Sequence, residues 1–429
     1  MTIISDKNGK KFTDNSKEID KSSTFVINSL NEKYLEDAKN SGFQSFINSS
    51  ELSTNFDFSK IKIIAVTGTN GKTTTAAIIY SILLDLGYKV ALQGTRGFFI
   101  NEEKLENYSL TTPMQLDQFN HIQMALKKGC EFFVMEASSH AIFQKRIEGL
   151  DFALKILTNI TQDHLDFHKT IEEYTRVKNS FFEDDTPKLI NKDEPRAKYN
   201  IKNGFGYGLD SPATYKVQAY SFKNGTNVVF SYFDKMHTFT TTLFGLFNIY
   251  NAVAAIASVH IVTKRNLDEI CEAIENFAGV SGRMEIASFE PLVIVDFAHT
   301  PDGMVKVLES FKDKEVITVF GAGGDRDALK RPIMGKVAEQ YSAHVIVTSD
   351  NPRFEDPDKI IDDILVGIKN KEKITVEINR KEAIKKALSL ANENSVVLIL
   401  GKGDEEYQII YDKKFPFSDK KIVQELLEK

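Results

Sequence analysis

A glycine-rich turn between an apolar run and a helical pattern has the residue types of a phosphate-binding loop. Backbone N–H groups in such a turn, with the positive end of the following helix, bind phosphate oxygens. Lys72 would lie along the β- and γ-phosphates of a nucleotide, and the Thr73 hydroxyl would reach Mg²⁺. The usual spacing has glycine where this chain has Val66, which disfavours an ordinary kinase or GTPase. The predicted ATP-binding loop consists of Gly68, Thr69, Asn70, Gly71, Lys72, Thr73 and Thr74.

Carboxylate and imidazole side chains follow two further apolar runs. Glu136 ends the run FFVME, and Asp163 and His164 follow the run KILTNIT. If these runs are neighbouring strands, their ends can share a divalent cation with the threonine of the phosphate loop. His140 and His168 lie close by in the sequence, and both a functional and a structural role stay open for them. A zinc hydrolase built on DHLDFH is an alternative that the upstream phosphate loop disfavours.

Two arginines and two acidic residues mark the last third of the chain. Arg326 and Arg353 could bind carboxylates, and Asp350 or Glu405 could bind an ammonium group. This set suits an amino acid that is charged at both ends. The glycine-rich run at Gly321 could be mistaken for a dinucleotide fingerprint, but Arg326 occupies the place of its third small residue. A nicotinamide enzyme is therefore disfavoured.

These groups need a framework that brings the ends of strands together. From about residue 60, β-branched runs alternate with helical stretches, which predicts an α/β protein with a doubly wound sheet in its last third. The runs PLVIVDF, EVITVFG, HVIVTSD, KITVEIN and SVVLIL each end in a polar turn and are expected to lead into a helix. Ligands bind beyond the carboxyl ends of such strands, so four turns should converge on one rim. These turns are residues 296–299, 321–326, 350–353 and 401–405.

Other stretches indicate how the chain is divided. Residues 205–243 are predicted to form antiparallel β-structure, and residues 280–285 a hinge. The first 57 residues have weak periodicity and form at most a small domain. Two cysteines, Cys130 and Cys271, lack the spacing of a metal site and are expected to be buried.

Length and charge limit the function further. The 429 residues suggest two or three domains, and a net charge of −6 excludes the basic field of a bulk nucleic-acid binder. Apolar runs fall short of the roughly 20 residues that cross a bilayer, and the N-terminus lacks the apolar core of a secretory signal. We expect a cytoplasmic monomer without nucleic-acid or membrane partners.

The runs GTNGKTT, EASSH, DHLDFH, YTRVK, DNPR and GKGDE together resemble the Mur ligase family over about residues 60–429. The resemblance implies a three-domain α/β protein with a small N-terminal uridine-side domain, a central P-loop ATP-binding domain and a C-terminal Rossmann-like, doubly wound amino-acid domain. These domains would be residues 1–57, 58–282 and 283–429. Members with DNPR add meso-diaminopimelate to UDP-MurNAc-L-Ala-D-Glu, and the charge of Arg353 favours this diacid over lysine.

The resemblance also implies a reaction and a set of catalytic groups. ATP would phosphorylate the D-glutamate carboxylate, the amine of diaminopimelate would attack the acyl phosphate, and ADP and phosphate would be released. Glu136 and His164 would bind Mg²⁺ with Thr73. By itself the run EEYTRVKNSFF suggests a solvated helix face for Lys178, whereas the resemblance implies that Lys178, carbamylated to N6-carboxylysine, would bind a second Mg²⁺. The implied catalytic residues are Lys72, Glu136, His164 and Lys178.

Substrate contacts follow from the same resemblance. Nucleotide contacts outside the loop would be Asn248 and Asn251, which match asparagines that lie against the base in the family, and Arg283 and Asp296, which resemble its hinge and ribose-side elements. Contacts to the UDP-muramoyl dipeptide would be Ser16, Thr111, Thr112, Ser138, Gln144 and Arg146. Contacts to diaminopimelate would be Arg326, Asp350, Asn351, Pro352, Arg353, Gly401 and Glu405.

The chain departs from the family pattern at the hinge, with Ser281 for proline, and in GKGDE, with Asp404 for histidine. Four alternatives remain open at this point: a lysine-adding ligase, a folylpolyglutamate synthase, a P-loop kinase and a nucleotide-binding scaffold without turnover.

Overall fold

The structure is a computed structural model that describes residues 3–18, 20–107, 110–222 and 225–428. Within these ranges the chain forms three β-sheets covered by helices, and a separate two-stranded hairpin. The three sheets follow one another along the chain.

The N-terminal sheet is small and has the order β1-β2-β3-β4. Its elements are β1 (Ile4–Ser5), β2 (Lys11–Thr13), β3 (Thr24–Ile27), α1 (Leu35–Asn40) and β4 (Ser45–Asn48), with 3₁₀ turns at Glu32–Tyr34 and Ser49–Asn55. Ile4, Phe12 and Val26 are buried in the same apolar cluster as the central unit. The small unit is therefore packed onto the central one.

The central sheet has eleven strands in the order β15-β14-β13-β12-β11-β10-β5-β9-β6-β7-β8. Its strands are β5 (Lys62–Thr67), β6 (Val90–Gly94), β7 (Gly97–Ile100), β8 (Glu103–Glu106), β9 (Phe132–Glu136), β10 (Phe152–Leu157), β11 (Lys188–Asn191), β12 (Gly204–Gly208), β13 (Tyr215–Ser221), β14 (Thr226–Tyr232) and β15 (Lys235–Thr241). Its helices are α2 (Lys72–Asp85), α3 (Gln115–Lys127), α4 (Ser139–Phe143), α5 (Leu165–His168), α6 (Ile171–Ser180), α7 (Leu246–Thr263) and α8 (Leu267–Ile274).

The middle of this sheet is parallel and its two edges are antiparallel. Strands β5, β9 and β10 are adjacent and parallel, so the ends that carry the phosphate loop, Glu136 and the segment before His164 lie side by side. The predicted antiparallel region is correct for β13 to β15, whereas β12 pairs in parallel with both of its neighbours.

Helix α7 requires a correction to the expectation about apolar runs. Among the described residues it is long and apolar enough to cross a membrane. However, 72% of the helix is buried inside the protein, and it packs against α2 and α8. Burial on most sides explains why the helix is apolar all round, so its composition is that of a core helix. Cys130 and Cys271 are buried free thiols, as predicted.

The C-terminal sheet is doubly wound and has the order β16-β17-β21-β18-β19-β20. Its strands are β16 (Glu285–Phe289), β17 (Leu292–Asp296), β18 (Glu315–Phe320), β19 (His344–Val347), β20 (Ile374–Val376) and β21 (Ser395–Leu400), and the hairpin strands are β22 (Tyr407–Ile410) and β23 (Lys413–Pro416). Its helices are α9 (Pro301–Glu309), α10 (Lys330–Tyr341), α11 (Pro357–Leu365), α12 (Arg380–Leu390) and α13 (Asp419–Leu427). Helices α9 to α11 contribute to the core on one face of the sheet, and α12 and α13 to the core on the other.

One connection was predicted wrongly. The run SVVLIL forms β21 but does not lead directly into a helix, because the hairpin β22–β23 comes before α13. The hairpin is attached to the DNPR turn, since the backbone N–H of Ile409 donates to Asn351 Oδ1 at 2.9 Å. This contact between distant segments has no local signature in the sequence.

The predicted hinge lies between the two large sheets. Gly282 has a φ of 68°, and a Cβ at this position would lie 2.0 Å from the backbone nitrogen of Asp404. The Ser281 hydroxyl donates to Glu285 Oε2 at 2.9 Å, a bond that proline could not make. The predicted domain boundaries at 57/58 and 282/283 fall between the sheets and stay a prediction.

Candidate active site

A cleft of about 1200 Å³ between the central and C-terminal units collects most of the predicted site residues. The predicted residues that line it are Thr69, Asn70, Gly71, Lys72, Thr73, Thr74, Thr111, Thr112, Glu136, Ser138, Arg146, His164, Asn248, Asn251, Arg283, Asp296, Arg326, Asp350, Asn351, Arg353, Gly401 and Glu405. All four predicted turns of the C-terminal rim contribute to this lining. This confirms the prediction that the four turns after the C-terminal strands converge on one rim.

The phosphate loop is held in shape by close backbone packing. Gly71 has a φ of 85°, and a Cβ there would lie 2.3 Å from Asn251 Oδ1. Asn159, which follows β10, accepts from the Asn70 N–H at 2.9 Å and donates to the Asn70 carbonyl at 3.0 Å. The loop is thus anchored at its tip before helix α2 begins at Lys72. Such a preformed loop is able to present backbone N–H groups to a phosphate.

Two lysines donate to the same carbonyl of this loop. Lys72 Nζ and Lys178 Nζ each lie 2.9 Å from the Gly68 oxygen. Burial lowers the pKa of Lys72, although Glu136 and Asp163 oppose this shift. The pKa of Lys178 is lowered well below its usual value, first by burial and then by the charge of Lys72. The sequence pattern suggested a solvated helix face for Lys178, whereas its side chain is buried beneath the loop.

Glu136 joins three parts of the site. Its Oε2 accepts from the Thr73 hydroxyl at 2.9 Å, and its Oε1 accepts from the Thr95 N–H at 2.8 Å. A Cβ at Gly94 would come within 2.2 Å of Oε1, so glycine is needed for the carboxylate to lie here. The result is a cluster of oxygen atoms beside the phosphate loop.

His164 lines the same cleft and has a left-handed backbone conformation, with a φ of 54°. Burial lowers its pKa to about 4, although Asp163 beside it opposes the shift. The imidazole is therefore neutral near pH 7, which is the form that binds metals. His168 is buried and its Nε2 lies 3.0 Å from the Ser139 hydroxyl, which supports a structural role, and the ring of His140 packs 4.8 Å from that of His164.

These residues fit a magnesium ion that is shared with a nucleotide. Mg²⁺ prefers hard oxygen ligands and usually keeps waters or substrate phosphates in its shell. Glu136 and Thr73 supply such oxygens, and neutral His164 lines the same cleft. Among the described residues no three acidic, histidine or cysteine side chains form a metal cluster of their own. Phosphate and water oxygens would therefore have to complete the shell.

Asn248 and Asn251 are buried, and their side-chain amides are hydrogen-bonded to each other rather than left free for a ligand. Asn251 Nδ2 donates to Asn248 Oδ1 at 3.0 Å, and the Thr75 hydroxyl donates to Asn251 Oδ1 at 3.3 Å. Helix α7 has Gly245 as its N-cap, so neither asparagine caps it. Their contact with a nucleotide base stays a prediction, and the structure gives Asn251 a role in supporting the phosphate loop.

The hinge and the predicted ribose-side elements are connected. Asp296 accepts from the N–H groups of Met284 and Ala298, both at 2.7 Å. Burial raises the pKa of Asp296, and the charge of Arg283 opposes this shift. The Arg283 guanidinium lies 4.1 Å from the centre of the Phe297 ring, which places it inside the cleft.

The residues predicted for the muramoyl dipeptide form a second wall. Thr112 accepts from the Ser138 N–H at 2.9 Å, and its carbonyl accepts from Arg146 Nη1 at 2.9 Å. Gln144 does not line the cleft. Its Oε1 accepts a hydrogen bond from Arg146 Nε at 2.8 Å, so it orients the arginine. Ser16 is not among the lining residues, and its contact with uridine stays a prediction.

The C-terminal rim brings the two predicted arginines together. A Cβ at Gly323 would lie 3.0 Å from Arg353 Nη1 and 3.8 Å from Arg326 Cγ. Burial lowers the pKa of Arg353, and the neighbouring charge of Arg326 adds to the effect. Pro352 lines a separate cavity instead. Two neighbouring positively charged side chains favour an anionic ligand.

Comparison with known proteins identifies the family. A family model described as Mur ligase middle domain matches residues 66–259, and one described as Mur ligase, glutamate ligase domain matches residues 282–403. A relative from Wolinella succinogenes, named UDP-N-acetylmuramoyl-L-alanyl-D-glutamate–2,6-diaminopimelate ligase, is 51% identical over 424 residues, which are 99% of this chain and 98% of the relative. The chain belongs to the Mur ligase family.

Two further similarities agree with this assignment. A Helicobacter pylori relative with the same name is 49% identical over 434 residues and covers 99% of this Mur ligase and 95% of the relative. A solved structure with that name has 29% identity and a TM-score of 0.67, and the match covers 97% of this chain and 94% of the other. The predicted family and the three-domain α/β fold are confirmed.

Two residues of this Mur ligase were missed by the sequence reasoning. Thr95 holds Glu136, and Asp302 in the first turn of α9 accepts from Asn70 Nδ2 at 2.8 Å and from the Thr161 hydroxyl at 3.1 Å. Thr95 ends the run VALQGT, so the strand-end rule could have found it. Asp302 had no such signal, because its partners belong to the other unit.

Proposed function

We infer that this chain is an ATP-dependent ligase that adds meso-diaminopimelate to the D-glutamate carboxylate of UDP-MurNAc-L-Ala-D-Glu. The observation that carries the inference is that one cleft is lined both by the phosphate loop and by the C-terminal rim with its two arginines. The relatives named for this reaction match almost the whole chain. The product is the UDP-muramoyl tripeptide of peptidoglycan synthesis, and the reaction consumes ATP and releases ADP and phosphate.

The first step is the formation of an acyl phosphate. The phosphate loop would bind the β- and γ-phosphates of ATP, with Lys72 beside them and Thr73 near the bridging oxygens. Arg146 would orient the muramoyl dipeptide by one of its anionic groups, because a guanidinium matches a carboxylate with two parallel bonds. Bound Mg²⁺ would neutralise charge on the transferred phosphoryl group. Thr73, Glu136 and His164 are the residues proposed to hold it.

Lys178 is proposed to act as a carbamate. Carbamylation joins a neutral amine to CO₂ and releases a proton, and burial of Lys178 favours the neutral amine. The product would be a carboxylate beneath the phosphate loop and would be able to bind a second Mg²⁺, so that Lys178 would no longer repel Lys72. The number of two ions, like a monomeric state and a cytoplasmic location, is part of this proposal.

The second step is attack by the amine of diaminopimelate. Arg326 and Arg353 would bind a carboxylate of the amino acid, while Asp350 and Glu405 would bind an ammonium group. Because a site built for a second carboxylate leaves its arginines unpaired when lysine binds, the diacid should be preferred. We propose that the hinge at residues 280–285 closes the cleft and brings the amine to the acyl phosphate.

The experiment that tests the function is a phosphate-release assay with ATP, Mg²⁺ and UDP-MurNAc-L-Ala-D-Glu. Release should require an amino acid and should be faster with diaminopimelate than with lysine. The variant Arg353→Ala should lose this preference, whereas Arg196→Ala, outside the cleft, should keep it. No release with either amino acid would refute the ligase, and a preference for lysine would refute the assignment of Arg353.

A further inference from the structure

Lys402 is a buried lysine at the C-terminal rim of the cleft, and the proposed reaction assigns no role to it. It lies between Gly401 and Gly403 after β21, and its side chain is 0% exposed. An ammonium group is costly to bury unless charged and polar partners surround it. The partners of Lys402 therefore indicate its role.

These partners form a closed set of hydrogen bonds with two residues predicted to bind the substrate. Lys402 Nζ donates to Glu405 Oε2 at 2.8 Å and to Asn351 Oδ1 at 3.0 Å. Asn351 Nδ2 in turn donates to Glu405 Oε2 at 2.8 Å. The Ile409 N–H also donates to Asn351 Oδ1, so two donors fix which end of the amide is the oxygen. The side chains of two separate turns are locked together.

This arrangement leaves one carboxylate oxygen available. Glu405 Oε2 has two donors, whereas Oε1 receives no hydrogen bond from the described part of the chain. The Glu405 side chain is 24% exposed and lines the cleft. Oε1 is therefore the atom of Glu405 that an incoming ammonium group would contact.

Lys402 also lies between the two acidic residues of the rim. Its Nζ is 3.9 Å from Asp350 Oδ1, and Asp350 packs so closely on Gly401 that a Cβ there would lie 2.6 Å from Oδ2. Two carboxylates in a partly buried site repel each other, and a cation between them offsets this repulsion. Lys402 provides that positive charge to the two acidic residues that are proposed to bind an ammonium group.

We propose that Lys402 is a positioning residue for the acceptor amino acid. It does not touch the substrate, but it orients Glu405 and Asn351 and compensates the paired negative charge of Glu405 and Asp350. The proposal rests on the proposed function, in which this rim binds diaminopimelate.

The test is the steady-state kinetics of the full-length protein with each of its three substrates varied in turn. Lys402→Met should raise the KM for diaminopimelate about tenfold to a hundredfold, because it leaves the carboxylates at the rim without their charged donor. The KM values for ATP and for the muramoyl dipeptide should change less than twofold to threefold, since both bind elsewhere. Lys413→Met, which changes an exposed lysine of the same unit, is the matched control.

A double variant distinguishes positioning from a structural role. If Lys402 acts through Glu405, Glu405→Gln should add little to the KM of the Lys402→Met protein, although it raises the KM of the wild type. The proposal would be overturned if the two substitutions had additive effects on the KM for diaminopimelate. Equal changes in the KM values for all three substrates would overturn it as well. If Lys402→Met does not fold, Lys402→Gln, which keeps one polar donor, is measured against the same criteria. Absence of phosphate release by the wild type would count against the ligase function itself, whereas an unchanged KM for diaminopimelate in an active variant would count only against Lys402.

Discussion

Replacement of Asp302 by alanine should weaken the contact between the amino-acid unit and the phosphate loop. The carboxylate of Asp302 belongs to α9 and accepts hydrogen bonds from Asn70 in the loop and from Thr161, at 2.8 and 3.1 Å. It also pairs with Lys306 of its own helix at 2.7 Å. The first two bonds exist only when the two units are close together, so Asp302→Ala should favour the open arrangement.

The size of the effect follows from the two bonds that cross the cleft. A hydrogen bond contributes about 0.5–1.5 kcal/mol net, so the two together contribute about 1–3 kcal/mol. This corresponds to a shift of about fivefold to 150-fold in the ratio of closed to open protein. The Asp302 side chain is 31% exposed, and solvent therefore screens part of its charge, which favours the lower half of this range.

Two measurements check this prediction. With one fluorophore on each unit and ADP bound, energy transfer reports the distance between the units. This distance should increase in Asp302→Ala, and the kcat/KM for phosphate release should fall. Asp313→Ala, which changes an exposed aspartate of the same unit, should do neither. A double-mutant cycle can be measured on the ratio of closed to open protein. In that cycle the effects of Asp302→Ala and Asn70→Ala should depart from additivity by about 0.5–1.5 kcal/mol. Strict additivity together with an unchanged distance would refute the reasoning.

Three further changes test other parts of the site and fold. Lys178→Ala should lower phosphate release by about a hundredfold or more, because the proposed carbamate ligand is lost, and near-normal turnover would remove the carbamate hypothesis. Thr95→Val removes the hydroxyl that lies 3.3 Å from Glu136 Oε2, so about tenfold more Mg²⁺ should be needed for half-maximal activity. An unchanged Mg²⁺ requirement would mean that Thr95 does not orient Glu136. Asp419→Ala should reduce the free energy of unfolding in urea by about 3–5 kcal/mol, since it leaves Arg380 unpaired in a pair whose side chains are both 0% exposed. A loss below about 1 kcal/mol, typical of a surface pair, would contradict this expectation.

The phosphate loop and the alternation of strands and helices could be predicted from the amino-acid sequence alone. Both are local signals, because the loop is a short continuous turn and each element has a hydrophobic period of its own. The position of Glu136 at a strand end could also be predicted, since β9 is a continuous apolar run. The convergence of the C-terminal turns followed from the general rule for parallel sheets.

The contacts that connect these groups could not be predicted from the sequence, because they form only in the folded protein. The burial of Lys178 depends on the placement of α6 beneath the distant phosphate loop, where Lys178 Nζ donates to the Gly68 carbonyl, and its helix pattern alone suggested a solvated face. The contact of Asn251 with Thr75 and the hydrogen-bonded ring around Lys402 depend on side chains from separate segments. The contact of Asp302 with Asn70 crosses between two units that are far apart in the chain. Hydrogen bonds of this kind are set by the fold rather than by sequence spacing, because each partner is an ordinary polar residue within its own segment.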